Sequence, residues 1–221
     1  MSVLIVTCEA LEQEVKALLP DKEACRLVVL GMGNHKKPKQ LRHRLQKIID
    51  REGDVEAVVV LYGYCGGVLN LEPRRVPVVV PKAHDCFDLM LGPKVRFAMF
   101  SEEPGTYFFS EGWARKDRTP EEKLQGLPQR YVQEEDLIAS VYAGYRRMCF
   151  VRTGCETESS RVRAKRCCTA MNWMYEEHQA ELIMIKKAIT GIRDDDFILL
   201  NPGERTREAQ ERLMAGLQSQ R

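Results

Sequence analysis

Short β-branched runs, each closed by turn residues and followed by a helical pattern, recur along this 221-residue chain and limit what it can fold into. The runs are Val3 to Thr7, Arg26 to Leu30, Ala57 to Tyr62, Val76 to Val80, Met148 to Thr153, Trp173 to Tyr175 and Phe197 to Leu200. Each is too short for a helix, and the first four are nearly unbroken apolar stretches, as strands buried on both faces require. Helical patterns fill the gaps. One follows Cys8, with Leu11, Val15 and Leu18 or Leu19 on one face, and ends at Pro20. Another runs from Lys37 to Ile49 with Leu41, Leu45 and Ile48 inward. Further helices are expected over Glu134 to Arg147, Glu158 to Asn172, Ala180 to Ile189 with Gly191 as its cap, and from Glu204 onward.

Strands alternating with helices predict an α/β fold, Rossmann-like, with a mainly parallel sheet and helices on both faces. The charged, proline-punctuated stretch 114–133 is expected to join two pseudo-similar lobes, about 1–113 and 134–221, within a single α/β domain. Just before it, Tyr107, Phe108, Phe109 and Trp113 crowd a non-periodic segment. That segment predicts a packed loop, either pinned by its own rings or lying over a cleft.

Composition excludes some functions. The chain carries 34 basic and 32 acidic residues, a formal net charge of +2, so no global field attracts nucleic acid or a membrane surface. No apolar run approaches the roughly 20 residues that span a bilayer. The chain opens on a strand-like segment without a basic n-region or cleavage site, and a cytoplasmic location is expected. The basic residues of 36–47 read as the solvated face of an amphipathic helix.

Eight cysteines are present, at 8, 25, 65, 86, 149, 155, 167 and 168. A reducing compartment argues against a disulfide framework, and the chain has no C-x-x-C pair. Any metal site must therefore assemble from separate loops. Cys8, Cys65 and Cys86, together with His84, each follow a run read as a strand, so a parallel sheet would bring them out at one edge, where such sheets bind ligands. Cys25 precedes its strand, Cys149 lies within one, and Cys167 and Cys168 lie within a helix, where free cysteine packs as a small hydrophobe. Cys155 follows a strand and is a reserve ligand. Three thiolates and an imidazole suit tetrahedral zinc, and three thiolates also suit an iron–sulfur cluster. A helix beginning at Cys8 would favour its thiolate. The same cysteines also fit a packing role at strand ends, and Cys86 with His84 a nucleophile and base, although side chains two positions apart do not face each other. Asp85 either caps the following helix or accepts a hydrogen bond from His84. Gly31-Met32-Gly33 is only part of a phosphate-binding loop, since position 36 is lysine.

The chain resembles the domain of unknown function 1638 family. The residues that carry the likeness are Cys8 with the following Ala-Leu and Glu14, Leu61-Tyr62-Gly63-Tyr64-Cys65-Gly66-Gly67, His84-Asp85-Cys86, Pro104-Gly105-Thr106-Tyr107, Gly112-Trp113 and Phe197 to Gly203, covering nearly the whole chain. The resemblance implies anaerobic bacteria and methanogenic archaea, which favours an iron–sulfur cluster over zinc, and implies work beside corrinoid-dependent methyl transfer, with corrinoid or methyltransferase proteins as partners. The alternative is a small-molecule or corrinoid-binding protein or methyltransferase without its own metal. In that case Gly31, Gly33, Gly66 and Gly67 would supply close backbone contacts while Tyr107 and Trp113 cover the ligand.

Overall fold

The computed structural model describes residues 2–19, 25–66, 68–125 and 140–204, with positions 208, 211 and 215. The chain divides into two compact units: Met1–Arg96 with Glu181–Arg221, and Phe97–Ala180.

The first unit is built on strands β1 (Val3–Cys8), β2 (Cys25–Leu30), β3 (Ala57–Leu61) and β4 (Val78–Pro81). They are parallel in the order β2-β1-β3-β4, and a late strand, Phe197–Leu200, joins β4 antiparallel with Val78 opposite Leu200. The sheet is thus mostly parallel, with one antiparallel edge, a common addition to α/β sheets. Leu4, Ile5, Val6, Val58 to Leu61 and Val78 to Val80 are all buried, which is why these runs show no alternation in sequence. Helix α1 (Glu12–Leu18) follows β1, and α2 (Pro38–Arg51) links β2 to β3, burying Leu41, Leu45 and Ile49. Beyond β4 come α3 (Cys86–Leu91) and α4 (Pro93–Glu102), the latter with no buried residue.

The second unit holds β5 (Thr106–Ser110), β6 (Arg147–Arg152) and β7 (Met174–Gln179), all parallel and in sequential order. The aromatic segment read as a loop is therefore strand β5 running into helix α5 (Glu111–Lys116). Four of the five residues of β5 are buried, which removes the alternation that marks a half-exposed strand. Within 114–133, helix α6 (Pro120–Gln125) succeeds α5, and 126–133 lie outside the described residues, as does most of the helix expected from Glu134. The helix expected from Glu204 also falls mainly outside them. Helix α7 (Glu158–Met171) connects β6 to β7, opened by the Thr157 hydroxyl accepting from Ser160 N at 3.2 Å and closed by Asn172 in the left-handed region at φ 54. Phe109, Met148, Phe150, Ala164, Cys167 and Cys168 pack between sheet and helices. The chain then returns to the first unit through α8 (Ile183–Thr190), capped by Gly191 at φ 84, and β8 (Phe197–Leu200). In the first unit α8 packs against α1, α3 and β3. Sheet order reverses between the β1-to-β2 and β2-to-β3 connections, so right-handed crossovers put α2 on the face opposite α1.

One ion pair in the second unit sets an acid limit. Glu122 accepts from Arg163 Nε at 2.8 Å and from Arg163 Nη2, and this pairing holds its carboxyl down at about 2. A carboxyl depressed in the folded state contributes stability above its unfolded value and loses it as pH falls through the folded one. The second unit should therefore weaken between pH about 4.5 and about 2, and Glu122→Gln should flatten that limb of an acid-unfolding curve. Identical acid limbs for variant and wild type would disprove the assignment.

Candidate functional site

The carboxyl ends of β1, β3 and β4 lie side by side, and hydrogen bonds join the turns that leave β3 and β4. Tyr64 N donates to Ala83 O at 3.0 Å and Cys65 N to His84 O at 3.2 Å, so the turn after β3 pairs with the turn after β4. Gly63 makes this approach possible. A Cβ there would stand 2.5 Å from the Asp85 Cα and N and from His84 O, so no other residue fits without moving backbone. On the other flank, Glu9 Oε2 accepts from Met32 N at 3.0 Å and ties the end of β1 to the turn after β2.

The β4 turn is fixed by a charged network. Asp85 caps α3, accepting from Phe87 N at 2.9 Å and Asp88 N at 3.2 Å, and its other oxygen takes Arg96 Nη2 at 2.8 Å. Capping is thus the role of Asp85. Asp88, buried beneath, accepts from His84 N at 2.7 Å. Burial, and then the charge of Asp85, push the Asp88 carboxyl up from the ordinary carboxylate range, against the pull of His84 N–H and Arg96. The ring of Tyr64 meets that of His84 edge-on, with centroids 5.8 Å apart, and its buried hydroxyl has no hydrogen-bond partner among the described residues.

Cys8 is the last residue of β1, directly across from the residue after Leu61, and is buried. Tyr62 reaches back over it, donating to Thr7 O at 3.2 Å, with its hydroxyl against the Cys8 sulfur. Burial raises the Cys8 thiol above its ordinary value and outweighs the backbone N–H of Ala10, so the expected helix-terminus activation does not operate. The turn that follows Cys8, Glu9–Leu11, is only three residues of 3-10 helix and supplies little dipole. Burial likewise raises the Tyr62 phenol, and the Cys8 thiol beside its hydroxyl adds to the rise.

Cys65 and His84 are exposed, and Cys86 is half-buried at the start of α3. The backbone thus brings Cys8, Cys65, Cys86 and His84 to one edge. Among the described residues no three His, Cys, Asp or Glu side chains are gathered as metal ligands. Gly66 closes the turn Tyr64–Gly66, and Gly67 lies outside the described residues. Gly31 has ordinary contacts at 3.6 Å, and Gly33 has open space.

Tyr107 and Trp113 belong to the second unit. Tyr107 is packed among Phe109, Tyr142, Tyr145 and Trp173 at centroid distances of 5.3 to 6.3 Å, and Trp113 rests on the same core. The hollow beside these rings, about 310 Å³, is lined by Tyr142, Tyr145, Arg146 and Trp173 and so faces the amino ends of β6 and β7. Among the remaining cysteines, Cys149, Cys167 and Cys168 are buried, and burial lifts the Cys149 thiol to about 12 and Cys168 to about 11. They behave as core residues.

A family model described as "Protein of unknown function (DUF1638)" matches residues 29–189. The chain belongs to this family. The matched span contains the β3 and β4 turns but begins after Cys8. No curated protein and no solved structure matches the chain. Among the described residues no helix is long and apolar enough to cross a membrane.

Proposed function

We propose that this DUF1638 protein is a cytoplasmic metal-binding protein of anaerobic metabolism. It holds an iron–sulfur cluster, or zinc, on Cys8, Cys65 and Cys86, with His84 as a further ligand or a hydrogen-bonding neighbour. What supports the assignment is that residues 57 and 21 positions apart in sequence stand at the same edge of adjacent parallel strands, with the turns after β3 and β4 hydrogen-bonded to each other. The donor chemistry fits a soft metal. The side-chain placement does not yet form a ligand set, so loading requires the side chains to rearrange and requires Cys8 to lose a proton that burial otherwise retains. A bound cluster would supply electron transfer and zinc a Lewis acid, in work accessory to corrinoid-dependent methyl transfer.

Anaerobic purification or reconstitution, followed by metal analysis and an absorption spectrum, tests this. The wild type should retain metal, and serine at position 8, 65 or 86 should release it, whereas Cys25→Ser and Cys167→Ser should keep it. A colourless, metal-free wild type after reconstitution overturns the assignment.

A second function is favoured by the sheet order. In the first unit, taken as Rossmann-like, connections reverse between β1 and β3, and such switch points open a crevice for a small molecule. A corrinoid or nucleotide retained by metal-free protein would support this alternative.

A further inference from the structure

Helix α2 concentrates positive charge that the rest of the chain does not share. From Lys36 to Ile49 there are six cations, Lys36, Lys37, Lys39, Arg42, Arg44 and Lys47, and no acid, although the whole chain carries only +2, which leaves −4 for the remainder. All six are exposed, and among the described residues none forms an ion pair. Lys39, His43 and Lys47 fall at i, i+4 and i+8, one row on the solvent side, with Arg44 beside them. The opposite face is consumed by the buried Leu41, Leu45 and Ile49. Six unneutralised like charges in and just before one short helix repel each other, a cost that a partner of opposite sign removes.

Three observations decide the kind of partner. The apolar side of α2 is spent on the core, so no wedge remains to enter a lipid interface. The helix carries no Phe, Tyr or Trp on which a base stacks. The cationic stretch is only about 18 Å long, and beyond it Asp50 and Glu52 are paired with Arg74 and Arg26, so the unneutralised charge is confined to a short segment. A short, bounded cationic patch matches a protein face of complementary charge. Its location adds to this, because α2 packs against the Tyr64–Gly66 turn, placing the patch beside the edge that carries Cys65.

We infer that the exposed face of α2 is a docking surface for an acidic protein partner that engages the candidate site's edge. The docking surface stands on its charge pattern, while the partner's business at that edge rests on the metal assignment above.

The full-length protein is titrated with a labelled glutamate-rich helical peptide, a mixed-sequence DNA duplex, and vesicles of phosphatidylcholine with phosphatidylserine, at matched low salt. The peptide should bind most tightly, weaken as salt rises, and weaken at least about tenfold in the triple variant Lys39→Glu, Arg44→Glu, Lys47→Glu. The neutral triple variant to glutamine should fall between and guards against misfolding, with far-ultraviolet circular dichroism unchanged in both. Peptide affinity unaltered by charge reversal overturns the inference, as does tighter binding of the duplex or the vesicles. Metal content measured on the same variants should stay at the wild-type level, so a failed docking surface and a failed metal centre are told apart.

Discussion

Gly63→Ala is expected to destabilise the first unit by about 3 kcal/mol or more, the upper range for overpacking. The added methyl group would lie 2.5 Å from three backbone atoms of His84 and Asp85, and none of these can rotate away as a side-chain tip can. Relief requires the β3 and β4 turns to part. Parting them breaks the Tyr64-to-Ala83 and Cys65-to-His84 hydrogen bonds, each worth about 1 kcal/mol net. Urea denaturation of wild type and variant measures the cost. Gly33→Ala is the matched control, because nothing lies within 4 Å of its Cβ position, and it should change stability by no more than about 0.5 kcal/mol. Equal midpoints for Gly63→Ala and wild type would show that the two turns are not in contact. A stable Gly63→Ala protein with altered metal or ligand retention would instead locate the turn contact's role in binding.

The parts of this fold that were legible in the sequence are those whose cause is local. Strands β1, β3 and β4 are buried on both faces and so wrote themselves as unbroken apolar runs, and their ends placed Cys8, Cys65 and Cys86 at one edge. Cys149, Cys167 and Cys168 were equally legible as packing residues, being interior to a strand and a helix. Strand β5 was missed because five residues with four buried leave no period to detect. Strand β7 was recognised only at its start. Its continuation, Glu176-Glu177-His178, reads as surface until distant arginines are known: Arg147 bonds Glu176 at 3.1 Å and Arg161 bonds Glu177 at 2.8 Å. The antiparallel course of β8 also depends on tertiary pairing with β4.

At the site, position was readable and environment was not. Desolvation of Cys8 comes from Tyr62 and the neighbouring strands, and it reverses the expected direction of the thiol's shift. Tyr64, Asp88 and Arg96 help to hold the β3 and β4 turns through contacts that no motif spacing announces. Asp85 was legible because a cap acts on backbone N–H groups only two and three residues on.

Arg147→Met is expected to cost the second unit about 3 kcal/mol, the low end for removing one partner of a buried ionic network. The Arg147 side chain is 7% exposed and ties three elements together. Its Nε and Nη2 donate to Thr106 Oγ1 at 3.0 and 2.8 Å, Nη2 also donates to Met99 O at 2.9 Å, and Nη1 donates to Glu176 Oε2 at 3.1 Å. Methionine preserves much of the apolar stem and leaves Met99 O its bond from Glu103 N at 3.1 Å, but it takes both donors from the buried Thr106 hydroxyl, and a buried acceptor so abandoned costs about 1–3 kcal/mol. Glu176 is 35% exposed and rehydrates in part, which keeps the total from rising further. Arg147→Lys should be intermediate, since an ammonium keeps the charge but cannot reproduce a fork that serves Thr106, Met99 and Glu176 at once. Arg166 supplies the contrast: it pairs with Glu121 and Glu122 but is 61% exposed, so Arg166→Met should cost less than about 1 kcal/mol. Denaturant midpoints for the three variants should therefore order as Arg166→Met above Arg147→Lys above Arg147→Met. If Arg147→Lys matched wild type, a single point charge would suffice at the head of β6, and the forked hydrogen bonding would have no part in holding β5, β6 and β7 in register.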